Sequence, residues 1–221
     1  MTLPLIDRES LGYGATVVLS GISFALAPGE RVVLLGRSGA GKTTLLGTIH
    51  DRLVAARTRV ALVPQDHALV PQLSVVKNTL MGRLDDHGAF YNLTNLVRVR
   101  QADRGLILPI LGDVGLEPEA ERPVEGLSGG QKQRTALARA FFRGGEVLIG
   151  DEPVSAVDER QAAVLLAQIA ARFPSAVLAL HDVTLALSFA TRVIGLKGGA
   201  VIFDAPPAEL SRGRIEALYA S

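Results

Sequence analysis

The sequence predicts an α/β fold with a mainly parallel sheet and an inserted α-helical subdomain. Three observations carry that expectation. Short apolar segments with strand character alternate with helical patterns towards both ends of the chain. A glycine-rich loop joins one of those strands to a helix. The stretch from about 70 to 125 carries Leu, Val and Met at helical spacings.

Taken in order, Val17–Leu19 and Arg31–Leu35 read as strands separated by the turn Ala27-Pro28-Gly29. The glycine-rich loop follows, and Thr44–Leu53 continues it as a helix. Arg59–Val63 is a further short strand. Residues 74–120 are mostly helical, with Pro109 expected to kink or end a helix. Ser128–Phe142 reads as a helix with Ser128 at its N-cap. Glu146–Gly150 is a buried strand, Glu159–Arg172 an amphipathic helix and Ser175–Leu180 another strand. Arg192–Leu196 and Ala200–Phe203 form a hairpin about Gly198-Gly199.

Bulk properties narrow the function. The 221 residues fit one large domain, and 48% apolar residues suffice for a sizeable core. A net charge of +1 gives no nucleic-acid footprint. The absence of cysteine excludes disulfides, thiolate metal sites and a cysteine nucleophile. No apolar run reaches membrane-spanning length, and Asp7, Arg8 and Glu9 interrupt the start where a secretory signal would be apolar.

Residues 36–43 read Gly36-Arg37-Ser38-Gly39-Ala40-Gly41-Lys42-Thr43, the P-loop pattern G-x-x-x-x-G-K-[ST], after an apolar strand and before a helix. Glycines let the backbone curl so that its N–H groups face a phosphate, and the helix N-terminus adds a favourable dipole. Lys42 is expected on the β- and γ-phosphates and the Thr43 hydroxyl on Mg²⁺, with Thr44 next along the helix. Val147-Leu148-Ile149-Gly150-Asp151-Glu152 is an apolar strand ending in two acids. With a P-loop upstream, Asp151 is expected in the Mg²⁺ shell and Glu152 beside the attacking water, as orienter or base. An isolated strand can also end at Asp because the chain meets solvent there.

Leu127-Ser128-Gly129-Gly130-Gln131 lies between those two motifs. Alone it is a flexible turn before a helix. In the order P-loop, pentapeptide, acidic strand end, the chain resembles the ATP-binding cassette (ABC) ATPase family from about Tyr13 to about Leu210. The resemblance implies a P-loop NTPase core, 1–68 and 126–221, with residues 69–125 as the helical subdomain, all within one domain spanning 1–221. It implies ATP and Mg²⁺ as ligands. It also implies that Ser128, Gly129, Gly130 and Gln131 bind the γ-phosphate of ATP held by a second copy in a homodimer. Gln65 then matches the Q-loop glutamine near Mg²⁺ and water, Asp158 the D-loop at the dimer interface, and His181 the switch histidine on the γ-phosphate. Tyr13, 29 residues before Lys42, matches the aromatic that stacks on adenine. The implied partners are integral membrane permease subunits and, indirectly, a solute-binding protein. The implied place is peripheral, on the cytoplasmic face of the inner membrane.

Leu69-Val70-Pro71, the stretch Asn78–Leu84, Ile194-Gly195-Leu196, Val201–Asp204 and the tail Glu216–Tyr219 resemble the ATP-binding subunits of phosphonate-type importers. A phosphonate or related phosphorus oxyanion is the cargo this implies. Another importer subfamily, a non-transport ABC-type ATPase and a non-catalytic cassette remain alternatives. One departure stands out: only 22 residues separate Lys42 from Gln65. Family members usually carry a further turn and strand there. The antiparallel β-subdomain is therefore expected to be reduced, and the link from P-loop to Q-loop altered. His50, His67 and His87 have no partners at metal-ligand spacing, and Arg98, Arg100 and Arg104 read as a solvated helix face.

Overall fold

A computed structural model describes residues 2–220. Its centre is a six-stranded sheet in the order β4-β5-β6-β3-β7-β8. The strands are β3 (Arg31–Leu35), β4 (Val60–Val63), β5 (Val147–Asp151), β6 (Ser175–Ala179), β7 (Arg192–Lys197) and β8 (Ala200–Ala205). All neighbours pair in parallel except the β7–β8 hairpin. The continuous apolar runs of β3, β5 and β6 suit strands buried on both faces. Alternate residues divide between two cores. Val33, Leu35, Leu148 and Leu178 face one, with α5 (Gly129–Arg143) and α6 (Glu159–Arg172). Val32, Leu34, Ile149 and Val177 face the other, against α1 (Lys42–Ala55) and the antiparallel pair β1 (Leu3–Tyr13) and β2 (Thr16–Leu26).

The antiparallel layer is larger than Val17–Leu19 alone suggested. The whole of β1 was hidden because its register with β2 shifts repeatedly and Arg8 takes a left-handed φ of 50°. Those irregularities break the two-residue alternation that marks a strand. The sheet is nonetheless only two-stranded, as the short Lys42–Gln65 segment implied. Where a further turn and strand were expected to be missing, α1 closes in a left-handed turn. Thr58 N–H donates to Leu53 C=O at 3.0 Å across Arg57, whose φ is 61°. Two residues later β4 begins.

Between β4 and α5 the chain forms α2 (Val75–Leu80), a 3₁₀ segment at Met81–Asp86, α3 (Ala89–Val97) and α4 (Gln101–Asp113). The expectation that Pro109 kinks or ends a helix fails as regards an ending, for α4 runs on through it to Asp113. The last elements are α7 (Val183–Phe189) and α8 (Arg212–Tyr219), neither foreseen. Among the described residues no helix is long and apolar enough to cross a membrane.

Candidate nucleotide site

The loop between β3 and α1 owes its shape to three glycines. Gly36, Gly39 and Gly41 have φ of 150°, 78° and 97°. A Cβ at Gly36 would lie 2.4 Å from the Leu196 carbonyl oxygen, and one at Gly41 2.7 Å from the Leu19 side chain. Glycine is therefore required there on two counts. The loop curls around Lys42, whose ammonium donates to the carbonyls of Gly36 at 2.8 Å and Arg37 at 3.1 Å. Burial lowers the Lys42 pKa below the ordinary 10.5, against the raising pull of Glu152 and Asp151. The ammonium is thus poised for an anion that would replace carbonyls by charge.

Beside it the Thr43 hydroxyl donates to an Asp151 carboxylate oxygen at 2.6 Å. Parallel pairing of β3 and β5 with β6 between them sets both at the carboxyl ends of strands, where ligands of open α/β sheets bind. A cavity of ≈ 240 Å³ opens over this pair, lined by Tyr13, Ser38, Lys42, Gln65, Asp151 and Glu152 among others. Tyr13 is 64% exposed, and its hydroxyl lies 3.5 Å from that of Thr44. A flat ring open at the rim can stack on a base. The shortened segment has not separated Gln65 from the P-loop, since both line one cavity.

Glu152 has a left-handed φ of 55°, a strained state for a non-glycine residue. Four hydrogen bonds hold its backbone. Its N–H donates to Ala179 C=O at 3.0 Å, and its carbonyl accepts from Gln133 Nε2 at 2.6 Å, the Ser155 hydroxyl at 3.2 Å and the Ser155 N–H at 3.3 Å. The carboxylate, largely sheltered, is hydrogen-bonded by Nε2 of His181, which is half exposed. The pair joins the ends of β5 and β6.

Ser128–Gln131, Asp158 and His181 do not line this cavity, and His181 lies instead on a neighbouring one of ≈ 270 Å³ that it shares with Glu152 and Ser155. Ser128 and Gln131 form a reciprocal capping box at the start of α5. Gly130 packs on the following loop so closely that a Cβ would meet Ala156 C=O at 2.6 Å. The Asp158 carboxylate accepts from Gln161 N–H at 2.9 Å and caps α6. Ser128 and Gly129 are exposed at the start of α5.

Two residues that sequence reasoning passed over position this site. Gln133 is 2% exposed and bridges Glu152, Ser155 and Ala156 N–H. Its signal was a glutamine on the apolar stripe of α5, one turn before Leu137. Arg139 donates to the carbonyls of His67 and Ala68 at 2.6 and 2.5 Å, which pins the left-handed pair that follows Gln65. His67 is thereby a structural histidine, and Arg134 supports the Gly130 carbonyl at 3.3 Å.

The donors fit a magnesium nucleotide. Hydroxyl, carboxylate and amide oxygens suit Mg²⁺, which keeps waters and uses substrate phosphates in place of an all-protein cage.

A glycine loop around a buried lysine, a threonine–aspartate pair and a sheltered glutamate define a P-loop nucleotide-binding protein. The ABC transporter family profile matches residues 19–155, and the chain belongs to that family of ATPases. It is 34% identical to a phosphonates import ATP-binding protein of Trichodesmium erythraeum, over 97% of this chain and 95% of that one. It is 36% identical to a phosphite import ATP-binding protein of Stutzerimonas stutzeri, over 97% and 86% respectively. Among solved structures, a dimeric bacterial ABC transporter cassette superposes with a TM-score of 0.77 at 25% identity, covering 94% of this chain and 99% of that chain.

Gln133→Leu should remove the hydrogen bonds to the Glu152 carbonyl and from the Ala156 N–H, lowering stability by about 1–3 kcal/mol in urea unfolding and lowering kcat more than it raises KM. Nucleotide affinity should be full below the lowered Lys42 pKa and fall as pH rises through it. Phosphate binding draws that pKa back up, so calorimetry in buffers of different ionisation enthalpy should show net proton uptake in alkaline solution.

Proposed function

We propose that this chain is the ATP-hydrolysing subunit of an importer, acting as a head-to-tail homodimer under membrane permease subunits, with a phosphonate or related phosphorus oxyanion as cargo. The convergence of Lys42, Thr43, Gln65, Asp151 and Glu152 on one cavity carries the catalytic half of that reading. Loop amides of Gly36–Thr43 and the Lys42 ammonium bind the triphosphate, and Tyr13 stacks on the base. Thr43, Asp151 and Gln65 hold Mg²⁺, which supplies charge neutralisation across the phosphates. Glu152 orients the attacking water and accepts its proton, and His181 holds the carboxylate in place. Positioning and charge stabilisation suffice for phosphoryl transfer, so strain at Glu152 is consistent with a fixed carboxylate.

The outward Ser128–Gln131 loop supports the dimer. One copy supplies the P-loop and the second closes the γ-phosphate with a serine hydroxyl and glycine amides at a helix N-terminus. Hydrolysis removes the bridge and the pair opens. A groove of ≈ 390 Å³ beside the Gln65 loop, lined by Leu62, Pro64, Ala68, Met81, Asp85 and Arg139, offers the permease a seat. Arg139 spans that seat and α5, so movement in the groove reaches both the Gln65 loop and the helix that carries Ser128. A peripheral place on the cytoplasmic face goes with this reading, because the permease is the part that crosses the membrane and ATP is supplied from that side. The names of the relatives support the cargo, as do the strings shared with phosphonate-type subunits.

Glu152→Gln with ATP and Mg²⁺ should elute as a dimer, while Lys42→Ala should remain a monomer and lose turnover. A Glu152→Gln chain that stays monomeric at saturating ATP, even with the permease present, overturns the paired site. Proteoliposomes carrying this chain with its co-purifying permease should take up phosphite or an alkylphosphonate on addition of ATP. Uptake of another solute class in their place would refute the cargo and leave the ATPase intact.

A further inference from the structure

Helix α3 is built inside out. Its polar residues point inward: Asn95 is 1% exposed and donates to Asp103 at 2.9 Å, Tyr91 donates to the same carboxylate at 2.6 Å, and Asn92 donates to Leu84 C=O at 2.8 Å. Three of its apolar residues point outward, while Leu96 is partly buried. Phe90, Leu93 and Val97 are 79%, 64% and 78% exposed. At 100° per residue these three fall within an arc of about 60°. A surface helix normally buries its apolar stripe, and a contiguous exposed one marks an interaction face. Hydrogen bonds lock this orientation, so the stripe cannot turn in without leaving Asn95 and Asp103 unsatisfied.

Cations flank the stripe. Lys77, Arg98 and Arg104 line a hollow of ≈ 350 Å³ at the C-terminal end of α3, against the single acid Glu121, which pairs with Arg104. Arg98 is exposed and its guanidinium has no ion-pair or hydrogen-bond partner among the described residues. Arg100 lies over the Tyr91 ring at 4.2 Å and helps hold the helix. The stripe itself is a convex ridge roughly 10 Å long and not a groove that would receive a partner's side chain. An apolar ridge with an aromatic at one end and cations at the other matches a helix lying in the headgroup region of a bilayer. The 3₁₀ segment that leads into α3 also lines the proposed permease groove through Met81 and Asp85, which sets α3 beside the membrane-facing side.

We infer that α3 is a lipid-contacting ridge that inserts Phe90, Leu93 and Val97 among anionic headgroups while Lys77 and Arg98 bind their phosphates. Only its placement near a membrane rests on the proposed permease seat, since the face itself is a property of this chain alone. It adds a second, direct attachment beside the permease and limits how the helical segment can move.

The test uses the full chain with vesicles of phosphatidylcholine alone or mixed with phosphatidylglycerol. The sequence has no tryptophan, so Phe90→Trp is a lone reporter whose emission should shift to the blue only with anionic vesicles. Wild-type protein should co-sediment with those vesicles and lose binding as salt rises. Phe90→Ser/Leu93→Ser should bind about ten-fold less and Arg98→Ala about five-fold less, both with unchanged steady-state ATPase, which also reports folding. Equal vesicle binding by wild type and the double variant overturns the inference. So does a blue shift of the Phe90→Trp reporter that appears only with the detergent-solubilised permease, which would make the ridge a protein interface. Loss of ATP turnover in Lys42→Ala with vesicle binding intact separates this face from the nucleotide site.

Discussion

The Lys42 ammonium, enclosed by the carbonyls of its own loop, is the interaction on which the rest depends. A buried cation is costly unless paired, and here the pairing is with dipoles that a triphosphate can displace. The loop can close in this way only because Gly36 and Gly41 pass where a Cβ would strike Leu196 and Leu19. The site is therefore preorganised by backbone geometry, and the same geometry ties the P-loop to β7 and to the antiparallel layer. Those contacts make the two cores on either side of the sheet supports of one phosphate cradle.

Around that cradle the molecule divides its chemistry between two surfaces. Thr43, Asp151, Glu152 and Gln65 meet at strand ends above the sheet. The Ser128–Gln131 loop faces solvent, with its hydrogen bonds satisfied by a capping box. Gln133 links them within the chain. From one position on α5 it holds the strained Glu152 carbonyl and the Ala156 amide. Arg139, six residues on, holds the segment that follows Gln65. A rigid helix thus carries an outward loop at one end and restrains the Glu152 and Gln65 segments along its length. This gives a physical route by which an event in one region is felt in another.

The short link from Lys42 to Gln65 goes with a two-stranded antiparallel sheet and a left-handed turn at Arg57 that ends α1. The parallel strands keep their register because their pairing is set within the central sheet, where both faces are buried.

The sequence alone determined the parallel core, the P-loop, the acidic strand end and the family. Each is local: apolar runs, glycines and a lysine at fixed spacing, and the order of short motifs. Strands Arg31–Leu35 and Ser175–Ala179 were legible because both faces are buried and the runs are continuous. Only the tertiary structure decided that β1 is a strand, because bulges at Ile6–Glu9 erase its alternation. It also carried α4 through Pro109 to Asp113. It alone revealed Gln133 and Arg139, whose partners lie 19 to 72 residues away in the chain. The inverted face of α3 was likewise hidden, for an amphipathic pattern states that a helix has two faces but not which one is buried. That choice belongs to Asp103, which recruits Tyr91 and Asn95 from the neighbouring helix and turns the apolar side out.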